Sequence, residues 1–538
     1  MADLAGLAER VSEPDGLAPF ARAAAVELVG WPSVTGTGEE AAFGRRLQEL
    51  LRSLPYFRSH PDAVWLEPVP GDRLGRSNLF AFVRGRGRLG VVLMGHYDVV
   101  STEPYGGLEH LAFRPDELRR ALLAELGGGR SGADQLAFED LVDGTFLPGR
   151  GMLDMKSGLA AGLAVLLRCA GEQEGSVLFL ATPDEEALSA GARAAVGGLG
   201  ALSQRTATEF VAAVNLDSDV DPGDGSLGRA VFLGSVGKLL PAALFVGRPA
   251  HSGAPFTGVN AGYLAAALAS DLELSPLWPR SGEPGIAPPV CLALRDLKQG
   301  YDVTLPSMSF AAFNVMFHRR GPAEVFGGFV ERVRAVLGRA LQTLRDRAAA
   351  AGTEVSWPEP AVLTLADLPR ADPPALPSGD PLLTSIDMAM SAVRRAEVEG
   401  PAAVALLAGP YYPPVALGDD DRGSRLLEIA RLQAQRLGEE RGEHISLRDC
   451  FPGISDMSFL GSGAAEGRIN ELIAANTPGA ARFAWDTSTA ARLRVPVVNI
   501  GPWGRDYHQR LERVHERYAF ETLPELIYRV VRDLLKED

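Results

Sequence analysis

Hydrophobic and polar residues in this chain follow two rhythms. Short apolar runs bounded by glycine or charged residues fall at 78–83, 89–94, 176–181 and 211–216, and predict buried strands. Around them, apolar positions recur every three or four residues over 16–54, with a break at 31–38. They do so again from Lys156 onward, where Gly158, Ala160, Ala161, Gly162 and Ala164 suit a helix packed closely on a sheet. Strands alternating with helices predict an α/β fold with a mostly parallel central sheet and helices on both faces. The joint 84–88, Arg-Gly-Arg-Gly-Arg, spells GxGxxG with Leu89 and Gly90. Strands on both sides of it predict a hairpin turn, not a dinucleotide loop.

The rhythm changes from 237 to 368. Strands are predicted at 239–246, 290–294, 309–316 and 354–357, and helices at 261–273 and 324–350, an α+β order that reads as a smaller domain inserted into the main one. A proline-rich segment, 371–381, is expected to return the chain to the main domain, where 422–437 reads as a helix and 495–500 as a last buried strand. The expected division is therefore 1–236 and 369–538 for the main domain and 237–368 for the insert. A separate irregular, partly helical stretch, 101–143, with a glycine cluster at 127–129, reads as an insertion over the strand ends, either a lid or surface decoration.

Composition narrows the partners. With 46% hydrophobic and 22% charged residues over 538 positions, the chain is globular and large enough for two cores. A formal net charge of −15 argues against a nucleic-acid or anionic-membrane partner and fits a cation cofactor better. Cys169, Cys291 and Cys450 have no CxxC spacing and read as reduced thiols, with Cys169 in a core helix. No secretory signal and no apolar run of membrane-spanning length is present, so a cytoplasmic location is expected.

The chemistry gathers at the ends of the predicted strands. Val91–Met94 runs straight into His96 and Asp98, whose spacing of two puts both side chains on one face, so that Asp98 can accept the N–H of His96 and leave its other nitrogen for a cation. The other strand ends supply Asp154, Glu185 with Glu186, Asp217 or Asp219, and His508. Burying this many carboxylates needs positive charge, which two divalent cations would supply. Zinc accepts both imidazole and carboxylate, cobalt and manganese being the alternatives, and Asp154, between the two halves of the set, is the natural bridge. Of the adjacent glutamates one can ligate while the other takes a proton from water. Asp217 sits directly at its strand end and is preferred to Asp219. His508 is preferred to His515, which lies among Glu512, Arg513, Glu516 and Arg517 and reads as solvated, as do His60, His110 and His444. No GxSxG and no GxxxxGK[ST] is present, so serine-nucleophile and phosphate-loop chemistries lack support.

Five blocks, GHYDVV at 95–100, DGTFLPGRGMLDMKSG at 143–158, PDEEALSAGA at 183–192, GRPAHSGAPFTGVNA at 247–261 and IGPWGRDYH at 500–508, resemble those of the M20 metallopeptidases, the group of aminoacylases, carboxypeptidases and succinyl-diaminopimelate desuccinylases. The resemblance implies a zinc-peptidase fold with a ferredoxin-like lid or dimerisation insert. It makes His96, Asp154 and Asp217 ligands of one metal, Asp154, Glu186 and His508 ligands of the other, Asp98 the partner that orients His96, and Glu185 the general base. His251 would reach the substrate's carbonyl oxygen, in several members from the partner subunit of a dimer. The implied function is hydrolysis of an amide or peptide bond in an N-acyl amino acid or short peptide. The stretches 301–320 and 505–520 look most like the arginine-utilisation branch of the family. Where the family has Asn-Val-Ile-Pro this chain has Val303-Thr304-Leu305-Pro306, and that departure carries the alternative reading, a non-catalytic protein that keeps the fold and binds metal and ligand.

Overall fold

The computed structural model describes residues 3–127, 132–172, 174–221, 223–276, 286–369, 380–418, 420–461 and 467–536. The chain forms two compact units: Met1–Ser235, Val415–Gly463 and Trp485–Asp538 make the first, Val236–Pro414 and Ala464–Ala484 the second.

Eight strands cross the first unit in the order Val64–Pro68, Ser77–Val83, Ser176–Thr182, Leu89–His96, Glu209–Asn215, Val497–Asn499, Ala230–Phe232, Ser446–Arg448. The four from Ser176–Thr182 to Val497–Asn499 are parallel, while Ser77–Val83 runs against Ser176–Thr182, so the sheet is mixed but parallel at its centre. Val91, Leu93, Val177, Phe179 and Val214 share one core with helices Leu17–Val29, Ser157–Glu172 and Leu523–Leu535. The alternate residues Val92, Leu178, Leu180 and Ala213 are equally buried on the other face.

The joint 84–88 is not a hairpin turn. Ser176–Thr182 lies between the two strands it connects. Every residue of Ser176–Thr182 is buried, and a strand buried on both faces takes an interior place with a neighbour on each side. The joint is seated on the entry to that strand: Gly85 N–H donates to Ser176 Oγ at 3.3 Å, and a Cβ on Gly85 would stand 2.1 Å from the carbonyl oxygen of Gly175.

The insertion is more helical than its sequence suggests. Glu103–Leu111, Pro115–Leu126 and Ala133–Val142 enclose a small core of Tyr105, Ala112, Leu118, Leu122, Ala137 and Leu141. Of its expected glycine cluster, 128 and 129 lie outside the described residues. Beside it, Phe146–Pro148, Arg513–His515, Trp503–Arg505 and Asp219–Val220 form a four-stranded sheet that joins distant parts of the chain.

In the second unit Gly237–Leu239, Met308–Phe317, Pro241–Val246, Ala402–Leu407 and Ala361–Thr364 form a sheet, with Val290–Asp296 also on Met308–Phe317. Helices Ala261–Leu272 and Pro322–Ala350 fill its core with Leu264, Leu268, Phe329 and Leu337. The strand expected at 354–357 forms instead at Ala361–Thr364, past Pro358 and Pro360, which have no N–H to donate. The unit runs on beyond 368 because Ala402–Leu407 pairs with both Pro241–Val246 and Ala361–Thr364. Residues 371–379 of the expected return segment lie outside the described residues.

Candidate metal centre

Three parallel strand ends and two loops converge in the first unit. Leu89–His96 delivers His96, the turn after Ser176–Thr182 delivers Glu185 and Glu186, and the end of Glu209–Asn215 delivers Asp217. Asp154 comes from the turn that opens helix Ser157–Glu172, and His508 from the loop after Trp503–Arg505. Close backbone approach makes this possible: a Cβ on Gly158 would lie 2.1 Å from the carbonyl oxygen of Leu216, and one on Gly501 would lie 1.8 Å from that of Asp217. Asp184 at φ 70°, Asp506 at φ 55° and His508 at φ 62° hold left-handed backbone beside the ligand positions. For residues other than glycine this costs on the order of 1–3 kcal/mol each and persists only when the surroundings fix it.

His96 Nε2 stands 3.2 Å from Asp154 Oδ1 and 3.8 Å from both Glu185 Oε2 and Asp217 Oδ1. His508 Nε2 stands 3.2 Å from Asp154 Oδ2 and 3.2 Å from Glu186 Oε1. Asp154 thus presents one oxygen to each imidazole, although 354 residues separate it from His508. Two groups able to hold a cation share it, His96–Asp154–Asp217 and Asp154–Glu186–His508, and a third, His96–Glu185–Glu186, overlaps both. The donor spacings of 3.2 and 3.8 Å lie on either side of the roughly 3.3–3.6 Å edges of a tetrahedron with zinc bonds of about 2.0–2.2 Å. Asp154 Oδ1 and Glu186 Oε1 are buried, and the imidazole nitrogens 3.2 Å from them are not aligned for a well-formed hydrogen bond, which leaves both oxygens open to a cation. The residues present fit a pair of divalent ions.

Electrostatics point the same way. Burial would lower the His96 imidazole, but Glu185, Asp154 and Asp217 outweigh it and raise it well above its ordinary value. Burial likewise opposes the protonation of His508, and Asp154 with Glu186 overcomes it, raising the group to about 10. Asp154 is held below the usual carboxylate range by those imidazoles in spite of its burial. Burial and Asp154 push Glu186 up to about 7, and burial with Asp217, Glu186 and Asp456 lifts Glu185 well above its ordinary value. The set draws positive charge, on its own imidazoles if nothing else supplies it.

Asp98 acts otherwise than the spacing suggests. His96 Nδ1–H is within reach of the backbone carbonyl of Asp98 at 3.0 Å, while the Asp98 carboxylate stays 3.7 Å away. That carboxylate accepts the backbone N–H groups of Glu185 at 3.0 Å and Glu186 at 3.1 Å, and the hydroxyl of Thr35. Nε2 of His96 still faces the cluster, and Asp98 also sets the two glutamates. Asp219 lies outside both groups; its carboxylate faces Arg448 at 3.4 Å, and burial pushes it up to about 7. The main chain of Asp217 is held by Asn499, whose side chain accepts Asp217 N–H at 3.0 Å and donates to Asp217 C=O at 2.9 Å. His251 lies on the second unit, exposed, bridged to Thr304 and accepting Gly253 N–H on Nδ1 at 3.0 Å.

Sequence reasoning missed several buried charges. Glu512 and Arg513 are fully buried, not solvated, and His515 stacks on Trp503 with ring centroids 4.9 Å apart. Arg76 lies buried among Glu40, Asp72 and Asp184. Asp456 accepts the Thr182 hydroxyl at 2.7 Å, its other oxygen is buried without a donor, and burial raises it to about 7. Nothing in composition distinguishes these residues from surface charges. His60, His110 and His444 are exposed and Cys169 is buried, as expected.

A parallel-centred sheet whose strand ends converge on two cation-binding groups with a shared aspartate defines a dinuclear metallohydrolase class. The chain belongs to peptidase family M20/M25/M40, which it matches over residues 130–531, and is an M20 metallopeptidase. It is 29% identical over 542 residues to protein RocB of Bacillus subtilis (strain 168), covering 95% of this chain and 94% of that one. To the uncharacterized protein YqjN of the same organism it is 30% identical over 543 residues, covering 95% of each. Among solved structures, the M20 family metallo-carboxypeptidase Sso-CP2 from Sulfolobus solfataricus is similar in fold with a TM-score of 0.52 at 13% identity, covering 96% of this chain and 99% of that one.

Proposed function

We propose that this protein hydrolyses an amide or peptide bond of a small substrate, an N-acyl amino acid or short peptide, with Glu185 as general base. The observation that carries the reading is Asp154 facing both imidazoles at 3.2 Å, one per oxygen. His96, Asp154 and Asp217 would hold one divalent ion and Asp154, Glu186 and His508 the other, zinc being favoured by the mixed imidazole and carboxylate donors. The ions supply a lowered pKa for an attacking water and charge stabilisation at the substrate carbonyl. Glu185 needs a high proton affinity to take the water's proton and pass it to the leaving amine, and its buried, acid-flanked position supports that. Asp98 fixes the backbone from which Glu185 and Glu186 project by accepting both N–H groups. His251 is proposed to donate to the developing oxyanion. Gly253 N–H occupies its Nδ1, which leaves the proton on Nε2 as the donor.

The stretches 301–320 and 505–520 support including arginine derivatives among the substrates. The second unit, a sheet backed by two helices, is read as a ferredoxin-like lid or dimerisation module. Val290–Asp296 exposes Leu292 and Leu294 and, among the described residues, pairs on one side only, which supports a homodimer through that strand.

The test is hydrolysis of a panel of dipeptides and N-acyl amino acids, arginine derivatives included, by zinc-, cobalt- or manganese-reconstituted protein, with Glu185→Gln as control. Turnover in the wild type, lost in Glu185→Gln while both metals stay bound, is expected. Loss of both metals in that variant would remove the base assignment. Two bound metals without turnover on any substrate would favour the non-catalytic reading.

A further inference from the structure

The candidate ligands of the second ion lie on loops that no single element supports, and one buried ion pair joins two of those loops. Phe146–Pro148 pairs antiparallel with Arg513–His515, Pro148 opposite Arg513. This brings Arg150, just after one strand, against Glu512, just before the other. Both are 0% exposed.

The Glu512 carboxylate faces the turn that carries Asp154. Its Oε1 accepts backbone N–H groups from Gly151 at 2.8 Å, Leu153 at 3.3 Å and Asp154 at 3.4 Å. Its Oε2 accepts Arg150 Nη1. The second arm of that guanidinium, Nη2, donates to the backbone carbonyl of His508 at 3.3 Å. One fork therefore grips the bridging aspartate's turn through Glu512 and the histidine's loop directly. Arg150 is itself fixed from the insertion: its N–H donates to Ala112 C=O at 2.9 Å, and its guanidinium lies 5.1 Å from the Tyr105 ring centroid. The His508 loop is anchored on its other flank by Arg513, which donates to Asp506 Oδ2 at 2.6 Å, to Leu511 C=O at 2.9 Å and to Asp140 of the insertion at 2.7 Å.

We propose that Arg150 and Glu512 are positioning residues that set the distance between Asp154 and His508, and with it the affinity of the second metal site. The proposal rests on the metal reading above. Their hydrogen bonds to the candidate ligands are to backbone atoms, so they act through the main chain. The first group shares Asp154 but takes its other two members, His96 and Asp217, from strand ends, so it depends on the pair through one residue where the second depends on it through two.

Zinc binding to the metal-stripped full chain, followed by calorimetry or equilibrium dialysis, tests this on the wild type, Glu512→Gln, Arg150→Lys and His508→Ala. The last identifies the second site. Arg150→Lys keeps the charge and loses the fork, so it carries the test if Glu512→Gln does not fold. The expected result is two zinc ions in the wild type, with the dissociation constant of the site marked by His508→Ala raised about 10–100-fold in the clamp variants and that of the other site, which shares only Asp154 with the clamped loops, raised clearly less. Two zinc ions bound with wild-type constants in the clamp variants would overturn the positioning role and leave the metal reading standing. Equal weakening of both sites would overturn it in favour of a general structural role. Fewer than two zinc ions in the wild type would overturn the metal reading, and the proposal with it.

Discussion

Replacing Arg76 by methionine is expected to expose how much buried charge lies behind the glutamate turn. Its guanidinium donates to Asp72 Oδ1 at 3.0 and 2.7 Å, to Asp184 Oδ1 at 2.7 Å and to both oxygens of Glu40 at 3.0 and 3.1 Å. Glu40 also accepts the N–H groups of Gly36 and Asp184, so the cluster fixes the turn from which Glu185 and Glu186 project. Methionine fills much of the stem's volume and removes the cation, leaving the carboxylates of Glu40 and Asp184 buried without one. Removing one partner of a buried ion network costs about 3–5 kcal/mol. Burial already raises the carboxyl of Asp184 above its ordinary value against the pull of Arg76, and in the variant that pull is gone. The folded variant would then bind protons more tightly than its unfolded chain, so its stability falls as pH rises through the carboxyl range. The deficit should be largest near about pH 8 and shrink towards about pH 5. Urea unfolding of both proteins in chelator, followed by tryptophan fluorescence, reads both quantities. A deficit below about 1 kcal/mol, the worth of an exposed pair, or one that ignores pH, would refute the argument.

Two further outcomes follow from groups described above. Burial, with Arg229, Arg505 and Arg517 nearby, pushes His515 down to about 4 from 6.5, so the unfolded chain takes up a proton that the folded one refuses. Its contribution is lost as pH falls between those values. His515→Phe, which preserves stacking on Trp503, should flatten that part of a stability–pH curve while losing the acceptor for Tyr518 N–H at every pH, and an unchanged slope would count against the assignment. Gly501→Ala would drive a methyl group towards the Asp217 carbonyl, where only 1.8 Å is available. Zinc affinity at the site containing Asp217 should fall while that of the His508 site holds, and a wild-type affinity at the Asp217 site would show that the chain relaxes without moving Asp217.

What could be read from the sequence depended on how each signal arises. The convergence of His96, Glu186 and Asp217 at one sheet edge was legible because the place of a polar residue just past an apolar strand follows directly from a short hydrophobic run. Strand order was not: the arginine–glycine joint at 84–88 has turn composition whether it closes a hairpin or steps over Ser176–Thr182. Ala402–Leu407 escaped because Ala-Ala-Val-Ala-Leu-Leu is as compatible with a helix as with a strand over so short a length. Arg76, Arg150, Asp456 and Glu512 escaped because a buried charge is recognisable only by the groups packed against it, and apart from Asp72 beside Arg76 those groups are remote in the chain. Arg150 and Glu512 are 362 residues apart. For Asp98 the spacing was read correctly but its acceptor was not, since the carbonyl and carboxylate of one residue compete for the same donor.

The sharing of Asp154 between imidazoles so distant in the chain also sets a timetable. A ribosome adding roughly 5–20 residues per second needs roughly 18–70 s to travel the 354 residues from Asp154 to His508. Once the chain has passed Asp217, the nascent protein can display His96, Asp154, Glu186 and Asp217, but His508, the last of the candidate ligands, arrives only at the end of that interval. Under the proposed two-ion reading, loading of the second group would have to wait until the strands that deliver His96 and Asp217 are already made.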